Sequence, residues 1–165
     1  MESKVKLFGH PVHPMLIVVP LGLLSIAVVF DILYGLTQDT VFAQVSFYNI
    51  VAGLIGGLAA ALFGFLDWRH IPDGTRAKRI GLLHALGNVV VLVLFFLSLL
   101  MRANAPDRAP ETTAFVLALV AVAFASVSGW LGGELVDRLA VGIDRGANVN
   151  APSSLSGKPA DMTQP

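Results

Sequence analysis

Four histidines are the residues of this 165-residue chain best suited to chemistry. His10 and His13 lie in Gly9-His10-Pro11-Val12-His13-Pro14-Met15, at the mouth of an apolar run that starts at Leu16. His70 follows a second apolar run and His84 stands near the start of a third. Neutral imidazole is the commonest protein metal ligand, so one candidate is a single transition-metal site. Its ligands would come from His10, His13, His70 and His84, with an oxygen from Asp67 or Glu134. Such a donor set suits zinc, iron, copper or nickel alike. The second candidate is haem b, whose axial ligands are imidazoles from facing helices at similar depth; here His84 would pair with His13 or His70. The third reading is structural. Interfacial His, Trp and Arg anchor helix ends in a membrane, and Asp67–Arg69 and Glu134–Arg138 would be local pairs or helix-end charges.

Trp68, Arg69, Asn88, Trp130 and Arg138 belong to the same candidate pocket. Asn88 lies four residues after His84 and shares its helix face. No catalytic residue is assigned. Ser126 and Ser128 lack the Gly-x-Ser-x-Gly elbow of a hydrolase, and no Walker-type or dinucleotide glycine pattern occurs. The chain has no cysteine, which excludes disulfides, thiolate metal sites and a cysteine nucleophile.

The elements that must position these residues are membrane helices. Hydrophobic residues make up 55% of the chain and charged ones 13%, about half the charge of an ordinary soluble domain. A bilayer core takes about 20 apolar residues per helix. Four runs have that length: Met15 to about Leu36, Phe42 to about Leu66, Ile80 to about Leu100, and Thr113 to about Leu131. The spacing predicts an all-α integral membrane protein, a four-transmembrane-helix bundle over 15–145. A polar lead over 1–14 precedes it, and a Pro/Ser/Ala/Gly-rich tail over 146–165 is expected to be disordered. Pro14 can start the first helix, and Pro20 should kink it or loosen its first turn. Gly53 and Gly57 form a GxxxG pair suited to close helix packing. No internal repeat stands out.

Four spans put both termini on one side, with the 67–79 loop. That side carries Lys4, Lys6, Arg69, Arg76, Lys78, Arg79, Arg138, Arg145 and Lys158, against Arg102 and Arg108 on the other. The positive-inside rule then predicts a multi-pass protein of the bacterial inner membrane with both termini cytoplasmic. All four histidines fall at this end. Asp31 is the exception, an acid in the last turns of the first span; its expected partner is Tyr48 or Asn49. The net charge of zero gives no field for nucleic acid.

The chain resembles a family of small bacterial membrane proteins that carry a domain of unknown function. The resemblance rests on His10-Pro11-Val12-His13-Pro14-Met15 followed by Pro20-Leu21-Gly22, on Asp67-Trp68, and on Ile71-Pro72-Asp73-Gly74-Thr75-Arg76-Ala77. His84 with Asn88 and Gly129-Trp130-Leu131-Gly132-Gly133-Glu134-Leu135 complete it. It covers most of residues 8–143 and implies a four-helix integral membrane domain. Some members are joined to ferredoxin-like redox domains, which favours electron transfer. Many relatives continue with Tyr-Arg-His-Gly where this chain has Asp137-Arg138-Leu139-Ala140, so a histidine present there is absent here.

The expectation is therefore a membrane protein with a histidine-lined pocket at one end of the bundle, binding haem or a transition metal for electron transfer. Its partners would be the lipid bilayer and a redox or other membrane protein, with a homo-oligomer as a further option. The alternative is a non-enzymatic membrane scaffold with structural histidines, whose basic 69–79 loop meets anionic headgroups. A small transporter or channel has only Asp31 and Asn88 in its favour.

Overall fold

The computed structural model describes residues 1–162. The chain opens with a tight hairpin, β1 (Lys6–Leu7) against β2 (His10–Pro11), with Lys6 opposite Pro11 and Leu7 opposite His10. Both turn residues, Phe8 and Gly9, have positive φ, 52° and 83°, as a two-residue turn matched to strand twist requires. What the sequence presents as a plain polar lead is thus folded back on itself.

The hairpin runs directly into α1 (Val12–Leu16), which is separated from α2 (Val18–Thr37) by Ile17. The break has a local cause: Pro20 has no N–H to offer the Leu16 carbonyl one turn earlier. Helices α3 (Thr40–Arg69), α4 (Arg76–Ala103) and α5 (Thr112–Gly133) follow, and α5 continues into one turn of π-helix over Glu134–Arg138. Side chains cap two starts, Asp39 accepting from the Val41 N–H and Thr75 from the Lys78 N–H. The Pro72-Asp73-Gly74 turn forms, with Gly74 at φ 76°.

The four candidate spans, Val12–Thr37, Thr40–Arg69, Arg76–Ala103 and Pro106–Arg138, have 26, 30, 28 and 33 residues and are apolar enough to cross a membrane. At about 1.5 Å per residue each exceeds the roughly 30 Å hydrocarbon core. The helices run further than their apolar stretches alone suggest, because Arg69, Arg76 and Arg102 are helical.

The core is narrow and lies on the bundle axis, built on Leu24, Ala27, Ile50, Phe95, Ala118 and Ala121. Large apolar side chains such as Ile55, Leu58, Leu62, Val93, Phe96 and Val127 point outward. In water that surface would be a liability; in lipid it is the solvent-facing side of the fold. After α5 the chain returns to the N-terminal hairpin. The Met1 ammonium donates to the Ala140 carbonyl, and Gly142 N–H donates to that of Met1. A short 3-10 turn over Ser154–Ser156 reaches the hairpin, where Ser154 Oγ donates to the Phe8 carbonyl. Residues 163–165 of the tail lie outside the described residues.

Candidate functional site

The structure brings two of the four histidines together. His13 comes from α1 and His84 from α4, about 12 Å into that helix from Arg76 at 1.5 Å per residue. Their ring centres are 6.4 Å apart with the planes at 89°. Both rings are half-buried, and they are seated in the same way. His13 Nδ1 is 2.8 Å from the Ala60 carbonyl of α3, and His84 Nδ1 is 2.8 Å from the Ser128 carbonyl of α5. A carbonyl only accepts, so Nδ1 carries the hydrogen in each ring.

One turn beyond each carbonyl is a glycine that makes room for the ring. A Cβ on Gly64 would stand 2.8 Å from His13 Cε1, and one on Gly132 would stand 3.1 Å from His84 Cε1. These seats were not singled out from the sequence, where Gly64 reads as one more small packing residue and Ser128 only as a discarded nucleophile. A glycine four residues after a small residue, on the helix that follows a histidine-bearing helix, is the signal that could have found them.

His84 is further tied by Asn88, as their shared face predicts. Asn88 Nδ2 lies 3.1 Å from His84 Nε2 and 2.9 Å from the His84 carbonyl. Ser128 Oγ donates to the same carbonyl at 3.0 Å. Both ring nitrogens of His84 thus have a hydrogen-bond partner, Nδ1 the Ser128 carbonyl and Nε2 the Asn88 amide.

His10 and His70 have other partners. His10 is exposed on the hairpin, with Nε2 3.3 Å from Ser154 Oγ. His70 is exposed at the C-terminus of α3, its Nδ1 donating to the Leu66 carbonyl. The acids are also engaged, with partners other than the neighbouring arginines. Asp67 accepts from Ser3 Oγ at 2.7 and 2.8 Å and from the Lys4 N–H at 3.1 Å. Glu134 pairs with Arg76 across to α4. In both cases the residue on the same turn, Arg69 or Arg138, points elsewhere: Arg69 stands over the Phe65 ring, and Arg138 is exposed. Among the described residues no three His, Asp or Glu side chains gather at metal-binding separation.

Trp68 closes this end. Its indole lies against Gly81 of α4, where a Cβ would be 2.8 Å from Cδ1, and its Nε1 donates to the Lys78 carbonyl. Gly81 is one turn before His84, and Trp68 is one turn after Gly64, so the indole lies one turn outward from the imidazole pair on both helices. Lys78 stands 4.4 Å from the indole centre and donates to the carbonyls of Trp68, Arg69 and Ile71. A lysine on the last carbonyls of α3 complements that helix's negative end. Trp130 is exposed on the outer surface.

At the opposite end, Asp31 meets Arg102 rather than Tyr48 or Asn49. The two guanidinium nitrogens reach the two carboxylate oxygens at 2.6 and 2.7 Å. Ser46 and Ser98 hydroxyls accept further hydrogens of the same guanidinium. Arg102, which opens a loop when read from sequence, has no exposed surface. Its signal was available: Asp31 and Arg102 are lone charges at the same ends of two parallel apolar spans.

Outside the spans, charges join the two termini. Lys6 pairs with Glu2 and Asp144. The Glu2 carboxylate is held below the usual carboxylate range, chiefly by the Arg145 N–H and then by Lys6. The Lys6 ammonium is raised above the usual lysine value, chiefly by Asp144.

The family model described as a predicted membrane protein, DUF2231, matches residues 9–145, which takes in both histidine seats and the ion pair. No curated protein and no solved structure matches the chain. The matched region is most of the protein, and the chain belongs to the DUF2231 family of predicted membrane proteins.

Proposed function

We propose that this is an electron-transfer subunit of the bacterial inner membrane, with both termini cytoplasmic, and that His13 and His84 would together hold one haem b. The observation that carries this reading is the imidazole pair: two rings from different helices, with centres 6.4 Å apart. Each Nδ1–H is committed to a backbone carbonyl, so Nε2 would be the nitrogen of each ring that holds the metal. A haem would need only two protein donors, whereas zinc or non-haem iron asks for three or four.

The haem would supply the one-electron couple. The chain's own residues orient the ligands, through the carbonyls of Ala60 and Ser128, and screen them from the aqueous face, through Trp68. Asn88 must release the Nε2 of His84 for ligation. The orientation rests on the basic residues gathered at the termini and the 69–79 loop.

The test is the protein purified in detergent from haem- and metal-replete cells, with absorption spectra before and after dithionite and elemental analysis of the same sample. A Soret band that shifts on reduction, with iron near one per chain, supports the proposal. A colourless protein with one stoichiometric metal moves the assignment to a non-haem centre. A sample with neither overturns both and leaves a scaffold with structural histidines.

A further inference from the structure

The imidazole pair and the ion pair obey one relation. His84 follows His13 by 71 residues, and Arg102 follows Asp31 by the same 71. In each case the residue touches its own counterpart: the imidazoles at 6.4 Å between centres, the charges at 2.6 Å. When two copies of a unit are related by a two-fold axis, only residues on the axis meet their own images. Two such points, one at each end of the spans, define an axis that runs along the bundle.

The other two helices follow. His13 is seated on Ala60 and Gly64, and His84 on Ser128 and Gly132, an offset of 68 for both. That offset, set by the seats alone, carries buried Ser46, Ile50 and Gly53 of α3 onto Ala114, Ala118 and Ala121 of α5. With Ala60 onto Ser128, it accounts for every buried position of α5. On the first span, the offset of 71 carries buried Leu24 and Ala27 onto buried Phe95 and Ser98.

We infer that the bundle is two copies of one helical hairpin, α1–α3 and α4–α5, about a pseudo-two-fold axis, and that Asp31–Arg102 is the contact that makes each hairpin take the unlike one. Two first hairpins would set Asp31 against Asp31, and two second hairpins Arg102 against Arg102. Like charges in a dry site are a repulsive element against the wrong partner. Where the copies agree, the axis carries the imidazole pair; where they differ, it is closed by the ion pair. The inference stands whether or not haem binds.

The test uses the full-length chain in three forms: Asp31→Arg, Arg102→Asp, and both together. Ser46 and Ser98 hydroxyls donate or accept, so they serve the pair in either orientation. Each single reversal should aggregate or melt roughly 10 °C or more below wild type, and the double exchange should recover wild-type size and most of the melting temperature. A second arm guards against local misfit in the exchanged pair. Asp31→Arg and Arg102→Asp chains, tagged differently and co-expressed, should capture each other by exchanging hairpins, severalfold more than either captures wild type. Recovery in either arm supports the inference. Failure of both overturns it.

Discussion

The carboxylate of Asp31 holds both guanidinium nitrogens of Arg102, at 2.6 and 2.7 Å, where neither side chain reaches solvent. The pair joins α2 to α4, the first span of one hairpin to the first span of the other. Its energetics are asymmetric. Making it recovers little beyond the desolvation of two ions, but removing one partner strands the other in a dry site.

Arg102→Ala should therefore destabilise the bundle by about 3–5 kcal/mol. Replacing both partners by apolar residues, Asp31→Leu with Arg102→Met, should cost much less than the single change. Thermal unfolding of detergent-solubilised protein checks this; a double replacement as damaging as Arg102→Ala would contradict it.

The glycine seats predict an order of effects. Alanine at Gly64 puts a methyl 2.8 Å from His13 Cε1, while alanine at Gly132 stands at 3.1 Å from His84 Cε1. Overpacking of this kind costs about 1–3 kcal/mol. Gly64→Ala should displace its imidazole further than Gly132→Ala. The histidine ring resonances in NMR of selectively labelled protein report the displacement directly, with or without a cofactor.

Ser3 fastens the N-terminal segment to the end of α3 through Asp67. Hydrogen bonds to charged groups contribute about 1.5–3 kcal/mol. Ser3→Ala should loosen the first residues without unfolding the spans. Limited trypsin digestion at Lys4 and Lys6 should then run faster, with the four-helix core left intact.

The clasp between the termini should depend on pH at both extremes. Folded Glu2 titrates below its unfolded value, so its contribution is present above the ordinary carboxylate range and is lost as pH falls through the lowered value. Folded Lys6 titrates above its unfolded value, so its contribution is present below the ordinary lysine value and is lost as pH rises through the raised one. Spin labels at Val5 and Ala147 should stay close across neutral pH and separate in strong acid and strong alkali.

The four spans were legible because the bilayer's length requirement is written directly in the apolar runs. Their ends were not. Charges at Arg76 and Arg102 read as loop, yet a helix tolerates them where another helix supplies a counter-ion, Glu134 for Arg76 and Asp31 for Arg102. That supply is long-range, as Asp31 is to Arg102 or Ser3 to Asp67, and no local pattern encodes it. The same holds for the histidines. Sequence collects four at one end, but which rings meet depends on how each helix is rotated, and only His13 and His84 face one another. The repeat was hidden because few positions carry it. Between His13 and Asp31, 5 of 19 residues match their counterparts, and apart from His13 the matches are Val18, Val19, Leu21 and Leu23, which any membrane helix supplies.

The measurement that bears most directly on the account is the reduced-minus-oxidised spectrum of wild type beside four alanine variants, at His10, His13, His70 and His84. Wild type should show a haem signal, kept in His10→Ala and His70→Ala and lost in His13→Ala and His84→Ala alike. Loss of haem only with His10 or His70, or no haem in wild type from haem-replete cells, would contradict it.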